Sequence, residues 1–406
     1  MRSFMMSAAL AALAAACAQA EGPASADPGS SEPGGEIAAH GDALMAERLA
    51  NLPTVRPWPI DWFEPKEIVE GAGEAEPLVV RDTPRVDDET WSHAIEWAEA
   101  NDTEALFVWS DGALDRAWRP GDADPQALTN TYYLNYFALV LLYGVALEDG
   151  HIESLDQPAS TWLSEWEGEP RGAITLRQLL NMASGLELYL DNIDPADKAT
   201  RVFFGSDTTS AALEYRREDE PGTVFEYNYI NPEILGIILR RAAGERYADY
   251  LSDAIWKPIG AQDAYVWLDR EGGRPHFNAA LFAQAEDWLR LGVMIAQEGR
   301  FGDQQVVPES WIAEMAEPSA AKENYGMVWL AEPFEAERQL AEEVPYTVEA
   351  SEPFTIEDLM IFDGYGGQRV YVSPSEDLVI VRIGATVRDG WDDSELPNLI
   401  AQALEN

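Results

Sequence analysis

The sequence predicts an α+β fold: an antiparallel sheet formed by both chain ends, flanked by helices, with an inserted helical lobe. Three observations carry the prediction. Residues 105–118 and 369–383 each read as two strands around a turn, so strand-forming sequence lies toward both ends. Between them the patterns are mostly helical. One of these, Leu134–Leu147 (LNYFALVLLYGVAL), is apolar on every face, as expected of a helix enclosed in a globular domain. Strand runs separated from helix runs favour helices layered on an antiparallel sheet.

The elements follow in order. Residues 46–85, with the segment PWPIDWFEP, are expected to be irregular and to wrap the domain surface. Trp91–Asn101 reads as a short amphipathic helix. Ala105–Trp109 and Ala113–Trp118 are strands joined by the hairpin turn Ser110-Asp111-Gly112. The apolar run falls short of the about 20 residues that span a bilayer and contains Asn135, so it is a buried helix ending near Gly150. Thr175 and Gln178 form a capping box at the start of residues 175–185, which stop at Gly185. Pro221-Gly222 marks a turn, a long helix begins around Pro232-Glu233, and another covers Ala283–Glu298. Arg369–Ser373 and Leu378–Ile383 form a hairpin around Pro374-Ser375, and Leu396–Leu404 is a final helix.

The chain has 406 residues, with 73 acidic against 27 basic side chains and a formal net charge of −46. Such acidity repels phosphate backbones and anionic lipid, which argues against nucleic acid or a membrane surface as partner. Cys17 is the single cysteine, so a disulfide framework and a thiolate metal site are excluded. No His-x-x-x-His pair occurs, and neither metal nor cofactor is expected.

Residues 1–20 carry Arg2, an apolar run and then small residues, the pattern of a secretory signal peptide. Ala18-Gln19-Ala20 fits cleavage before Glu21, whereas Leu13–Cys17 resembles a bacterial lipoprotein box that would leave Cys17 as a lipidated first residue. Residues 21–45 read as a flexible linker rich in Gly, Pro and Ser. The expected location is the periplasm or cell envelope, with membrane contact only through a lipid anchor at Cys17. Residues 46–406 form the domain, with an α/β lobe at about 86–150 and 275–406 and a helical lobe at about 151–274.

Several motifs occur in a fixed order. They are Gly144–Asp156 (GVALEDGHIESLD), Ile174–Leu186 (ITLRQLLNMASGL), Pro221–Tyr227 (PGTVFEY), Leu235-Gly236, Tyr325–Trp329 (YGMVW) and Gly364–Pro374 (GYGGQRVYVSP). Together they resemble the serine β-lactamase and penicillin-binding superfamily, most closely class C β-lactamases, their esterase relatives and 6-aminohexanoate-dimer hydrolases. The Trp58–Gly71 region also resembles an N-terminal extension of the last group. The resemblance spans about residues 55–406 and implies a β-lactamase-like fold that cleaves amide or ester bonds through an acyl-serine. It implies a serine at the start of the buried helix, a lysine three residues on, a relay tyrosine from the helical lobe, and a third element on a sheet strand.

The catalytic pattern itself departs from the family. Counted back from Gly144, the serine position holds Tyr133 and the lysine position Tyr136. Tyr227 stands at the relay tyrosine, followed by Asn228-Tyr229 in place of Ser-Asn. The third element reads Asp363-Gly364-Tyr365-Gly366-Gly367, and Gly364, Gly366 and Gly367 are the candidate binding positions. A phenol with no base beside it is a poor nucleophile at neutral pH. Tyr132, Tyr133 and Tyr136 are therefore expected to fill the former pocket as packing aromatics. Other nucleophile readings are weaker. Ser319-Ala320-Ala321-Lys322 matches Ser-x-x-Lys by accident of composition, and Ser184 belongs to a helix end. His40, His93, His151 and His276 lie in no Gly-x-Ser-x-Gly context.

Two readings result. The first is an exported protein that has lost acyl-serine chemistry and keeps a cleft for a small amide, ester or peptide-like ligand, a cell-wall fragment or a partner. The second is a working hydrolase with a rearranged site built on Thr131 or Tyr133 with Tyr227.

Overall fold

The computed structural model describes residues 43–405 apart from 55–56, 75–76, 190–192, 342–346 and 385–389. The signal peptide, Cys17 and nearly all of the linker lie outside the described residues.

In chain order, residues 43–50 are helical and β1 spans Lys66–Val69. Helix α1 (Asp88–Ala100) begins at Asp87, whose carboxylate accepts the Glu89 and Thr90 N–H groups. Strands β2 (Thr103–Ser110) and β3 (Ala113–Trp118) flank a turn with Asp111 at φ 44° and Gly112 at φ 74°. Two successive left-handed residues match the strand twist of a tight hairpin, which is why Asp-Gly serves there. Next come β4 (Thr129–Asn130), α2 (Leu134–Glu148), α3 (Leu176–Leu180), α4 (Ile230–Ala243), β5 (Ala264–Trp267), β6 (Leu281–Ala283) and α5 (Ala285–Ala296). The C-terminal part supplies β7 (Trp329–Leu330), β8 (Glu337–Gln339), β9 (Thr347–Glu349), β10 (Met360–Gly364), β11 (Gln368–Ser373), β12 (Leu378–Gly384) and α6 (Glu395–Leu404).

The principal sheet has the order β3-β2-β12-β11-β10-β7, and each neighbouring pair is antiparallel. The pairing of β2 with β12, with Val108 opposite Ile380, joins the two ends of the chain as expected. Helix α5 lies on this sheet so closely that a Cβ at Gly292 would come within 2.6 Å of Val379. Helix α1 packs on β2 and α6. Helix α2 buries every residue except Val145, Leu147 and Glu148, and packs against α4 and β10.

Four expectations are corrected. Residues 46–85 are not wholly irregular, because β1 pairs with β5 in a second, four-stranded sheet ordered β1-β5-β6-β4. Strand β5 lies within the range assigned to the helical lobe, so that range carries sheet as well. Met45, at the end of the supposed linker, is buried in an aromatic cluster with Trp58, Phe63 and Trp267. The helix of residues 175–185 is one short turn, Leu176–Leu180; the Thr175–Gln178 capping box forms, but Met182 and Gly185 adopt positive φ and end the helix early.

Candidate active site

The site is built where β4 runs into α2. Asn130 pairs with Phe282 across β4 and β6, and the next residue, Thr131, donates both its N–H and its hydroxyl to the Leu281 carbonyl. Thr131 is buried and its hydroxyl is already engaged, so it is held as a structural residue. Tyr132 adopts φ 48°, a conformation that costs a non-glycine residue roughly 1–2 kcal/mol. It is held from both ends: its N–H donates to Asn130 Oδ1 at 3.0 Å and its hydroxyl accepts the Trp58 N–H at 3.0 Å.

Tyr133 caps α2 and turns its ring into a packed aromatic cluster. Its ring centroid lies 4.8 Å from that of Tyr227, 5.0 Å from Tyr229 and 5.2 Å from Tyr136. Only 4% of Tyr133 is exposed. Its hydroxyl touches Met182 Sδ at 3.9 Å. Burial, followed by the neighbouring Tyr136 and Tyr229 hydroxyls, pushes its phenol well above the ordinary 10.0. Tyr136, one turn on, is fully buried and donates its hydroxyl to the Leu180 carbonyl at 2.8 Å. Burial likewise drives its pKa upward.

The helical region and the sheet supply the opposite wall. Tyr227 donates its N–H to the Leu340 carbonyl at 2.7 Å and its hydroxyl to Asp363 Oδ1 at 2.6 Å. Burial, and then the Asp363 charge, hold its phenol protonated. Asn228 is spent on local structure, with Oδ1 accepting the Tyr189 N–H and Nδ2 donating to the Leu186 and Glu187 carbonyls. Gly364 ends β10 against the start of α2, where a Cβ would stand 2.6 Å from the Thr131 carbonyl oxygen. Gly366 and Gly367 both take positive φ in the turn to β11. The three glycines thus serve close approach and turning, and Gln368 ties the same junction by donating to the Asn130 carbonyl at 2.8 Å.

The structure therefore brings Tyr133, Tyr136, Tyr227 and Asp363 together, with the rings filling the space among them. Each of the four lysines is engaged elsewhere: Lys66 with Glu64, Lys198 with Glu187, Lys257 with Asp253 and Glu70, and Lys322 with Glu335. Ser319 accepts the Ala321 N–H while Lys322 faces Glu335, so that Ser-x-x-Lys match forms no catalytic pair. Ser184 donates to Asn231 Oδ1, a tie between a helix end and α4. Tyr133, Tyr136 and Tyr227 line neither the cavity walled by Arg177 and Ser319 nor the one walled by Arg171 and Lys198. Among the described residues no cluster of three or more His, Asp or Glu is placed to hold a metal ion, and no helix is long and apolar enough to cross a membrane.

Sequence reasoning missed Tyr325 and Trp329 as members of the cluster. Their rings lie 5.9 and 5.7 Å from Tyr227. Their signal was the YGMVW motif, read only as a family mark. The bond between Tyr227 and Asp363 had no signal, because the two residues belong to motifs separated by 136 positions.

Comparison with known proteins gives the chain relatives of the same fold. A 6-aminohexanoate-dimer hydrolase from Paenarthrobacter ureafaciens is 25% identical over 185 residues, 42% of this chain and 45% of that protein. Penicillin-binding protein 4* of Bacillus subtilis is 25% identical over 128 residues, 31% of this chain and 28% of that one. The chain thus spans less than half the length of these curated relatives. A putative 6-aminohexanoate-dimer hydrolase from Bacillus anthracis superposes with a TM-score of 0.65 at 19% identity, over 86% of this chain and 90% of that one. A class C beta lactamase from Rhodobacter sphaeroides gives 0.56 at 19% identity, over 78% and 100%. These likenesses share the fold. The family model for beta-lactamase matches residues 137–405, and the chain belongs to the beta-lactamase family of serine hydrolases.

Proposed function

We propose that this chain is an exported member of the beta-lactamase family that has given up acyl-serine chemistry and acts by binding. The observation that carries the reading is the pair Tyr133 and Tyr136 at the serine and lysine positions, both buried and both with phenols held protonated. An acyl-enzyme needs a nucleophile with a base in reach and space for the acyl group, and the ring cluster provides neither. The ligand class is a small amide, ester or peptide-like molecule, a cell-wall fragment or a partner protein. Export through the N-terminal signal, with Cys17 as lipid anchor, places it in the periplasm or cell envelope; radiolabelled palmitate incorporation lost in Cys17→Ser tests that anchor.

The decisive experiment is covalent labelling of the purified mature protein with a fluorescent penicillin and a fluorophosphonate. An active esterase of the same fold serves as positive control. The expected result is a labelled control and an unlabelled chain. Labelling abolished by Thr131→Ala or Tyr133→Phe would overturn the binding-only reading. A second reading, an amide or ester hydrolase with a rearranged site, draws on the 2.6 Å bond between Tyr227 and Asp363, which sets a carboxylate against a phenol beside Tyr133. The same labelling result decides it.

A further inference from the structure

A groove of about 720 Å³ lies in the helical region, lined by Glu169, Pro170, Arg171, Glu187, Lys198, Glu214, Arg216 and Arg217. In a chain of net charge −46, four cations here face three carboxylates, a surplus of one positive charge. The cations differ in how far they are already committed. Arg171 is fixed, with Nη1 donating to the Leu213 and Tyr215 carbonyls and Nε to Glu169. Lys198 pairs with Glu187 and stands 4.4 Å above the Tyr215 ring. Glu214 is neutralised from outside the groove by a two-point bond from Arg201. Arg217 meets Glu220 at 3.4 Å, at the long edge of an ion pair. Arg216 is exposed; its backbone N–H donates to Glu187 Oε2 at 2.8 Å, and its guanidinium lends that carboxylate a neighbouring positive charge. Arg216 is therefore the less committed of two neighbouring guanidiniums, Arg217 being held by the exposed Glu220.

From this arrangement we infer that the groove binds a small ligand bearing a single carboxylate, which Arg216 and Arg217 receive. A guanidinium donates two parallel N–H groups that match the two oxygens of a carboxylate. The surplus of one charge suits a monoanion. The acidic walls and the acidic body of the molecule disfavour a phosphate dianion. The inference does not rest on the silence of the aromatic-filled centre, since no lining residue belongs to it. A carboxylate of this kind comes from the C-terminus of a peptide or from a sugar acid.

The test is titration of the full-length mature protein with N-acetyl-dialanine, with its C-terminal amide, and with glucuronate, each followed by ligand-observed NMR up to about 10 mM. The expected result is saturable binding of the free carboxylate and none of the amide. Binding should weaken about tenfold or more in an Arg216→Gln, Arg217→Gln double variant and fall with added salt. The two side chains lie at the rim, so circular dichroism should show the variant folded. Glucuronate binding without the peptide would support the site and assign its ligand to a sugar acid. Equal binding of acid and amide, retention of affinity in the double variant, or no saturation by either carboxylate would overturn the inference.

Discussion

Tyr227 donates its hydroxyl proton to Asp363 across 2.6 Å in a region where both residues are buried, so each fixes the position of the other. A bond to a charged acceptor in such a place stabilises by about 1.5–3 kcal/mol. Tyr227→Phe should lose about that much, while Asp363→Asn, whose amide oxygen still accepts, should lose less. Urea unfolding with unchanged slope measures both. A Tyr227→Phe chain as stable as its parent would mean that the bond does not form in solution.

Tyr133→Ala should open a hole among Tyr136, Tyr227 and Tyr229 and destabilise the fold by about 3–5 kcal/mol. A cavity of that shape should take up p-cresol. Added p-cresol should then raise the melting temperature of the variant and leave the parent unchanged. Equal shifts in both proteins would show that the ring does not fill the space.

His276 should make stability depend on pH. It is fully buried between Phe63 and Phe203, and among the described residues neither ring nitrogen has a hydrogen-bond partner. Burial, followed by the charges of Arg274 and Arg48, lowers its pKa well below 6.5. The folded state binds the proton less readily than the unfolded one, so this contribution is complete above 6.5 and is lost as pH falls below that value. Unfolding free energy measured from pH 8 to 5 should decline below about 6.5 in the parent, and the decline should be shallower in His276→Leu.

Asp393 ties three strands of chain together. It accepts from Arg369 Nε at 2.7 Å and from Tyr371 Oη at 2.9 Å, and it pairs with Arg338. Burial alone would raise its carboxyl, but Arg369 and Arg338 outweigh burial and hold it below 3.8. Asp393→Ala should cost about 3–5 kcal/mol, because it strands two buried guanidiniums. Asp393→Asn should recover part of that loss. The parent's share should persist above pH 3.8 and fade as the pH drops through the lower folded value. An Asp393→Ala chain that unfolds at the parent's urea midpoint would refute the tie.

Local chemistry was readable in the sequence wherever one segment decided the outcome. The Asp111-Gly112 turn, the Thr175–Gln178 capping box and the enclosed helix from Leu134 all follow from residues within a few positions of one another. Strand β1 was not readable. Its residues Lys66–Val69 have no clean alternation, and it becomes a strand only because β5 lies beside it. The absence of serine and lysine at positions 133 and 136 was plain from spacing. The way the space is filled was not, because Tyr227, Tyr325 and Trp329 arrive from distant parts of the chain.

The pairing of β2 with β12 also governs when the molecule can form. The Trp109 indole reaches Asp377 across 268 positions of chain, so the middle of the sheet waits for sequence made near the end of synthesis. Closing a loop of that length is slow, and until then β2 exposes a bare edge carrying Phe107 and Trp109. A transcript cut short before residue 378 would yield a sticky fragment rather than a smaller protein.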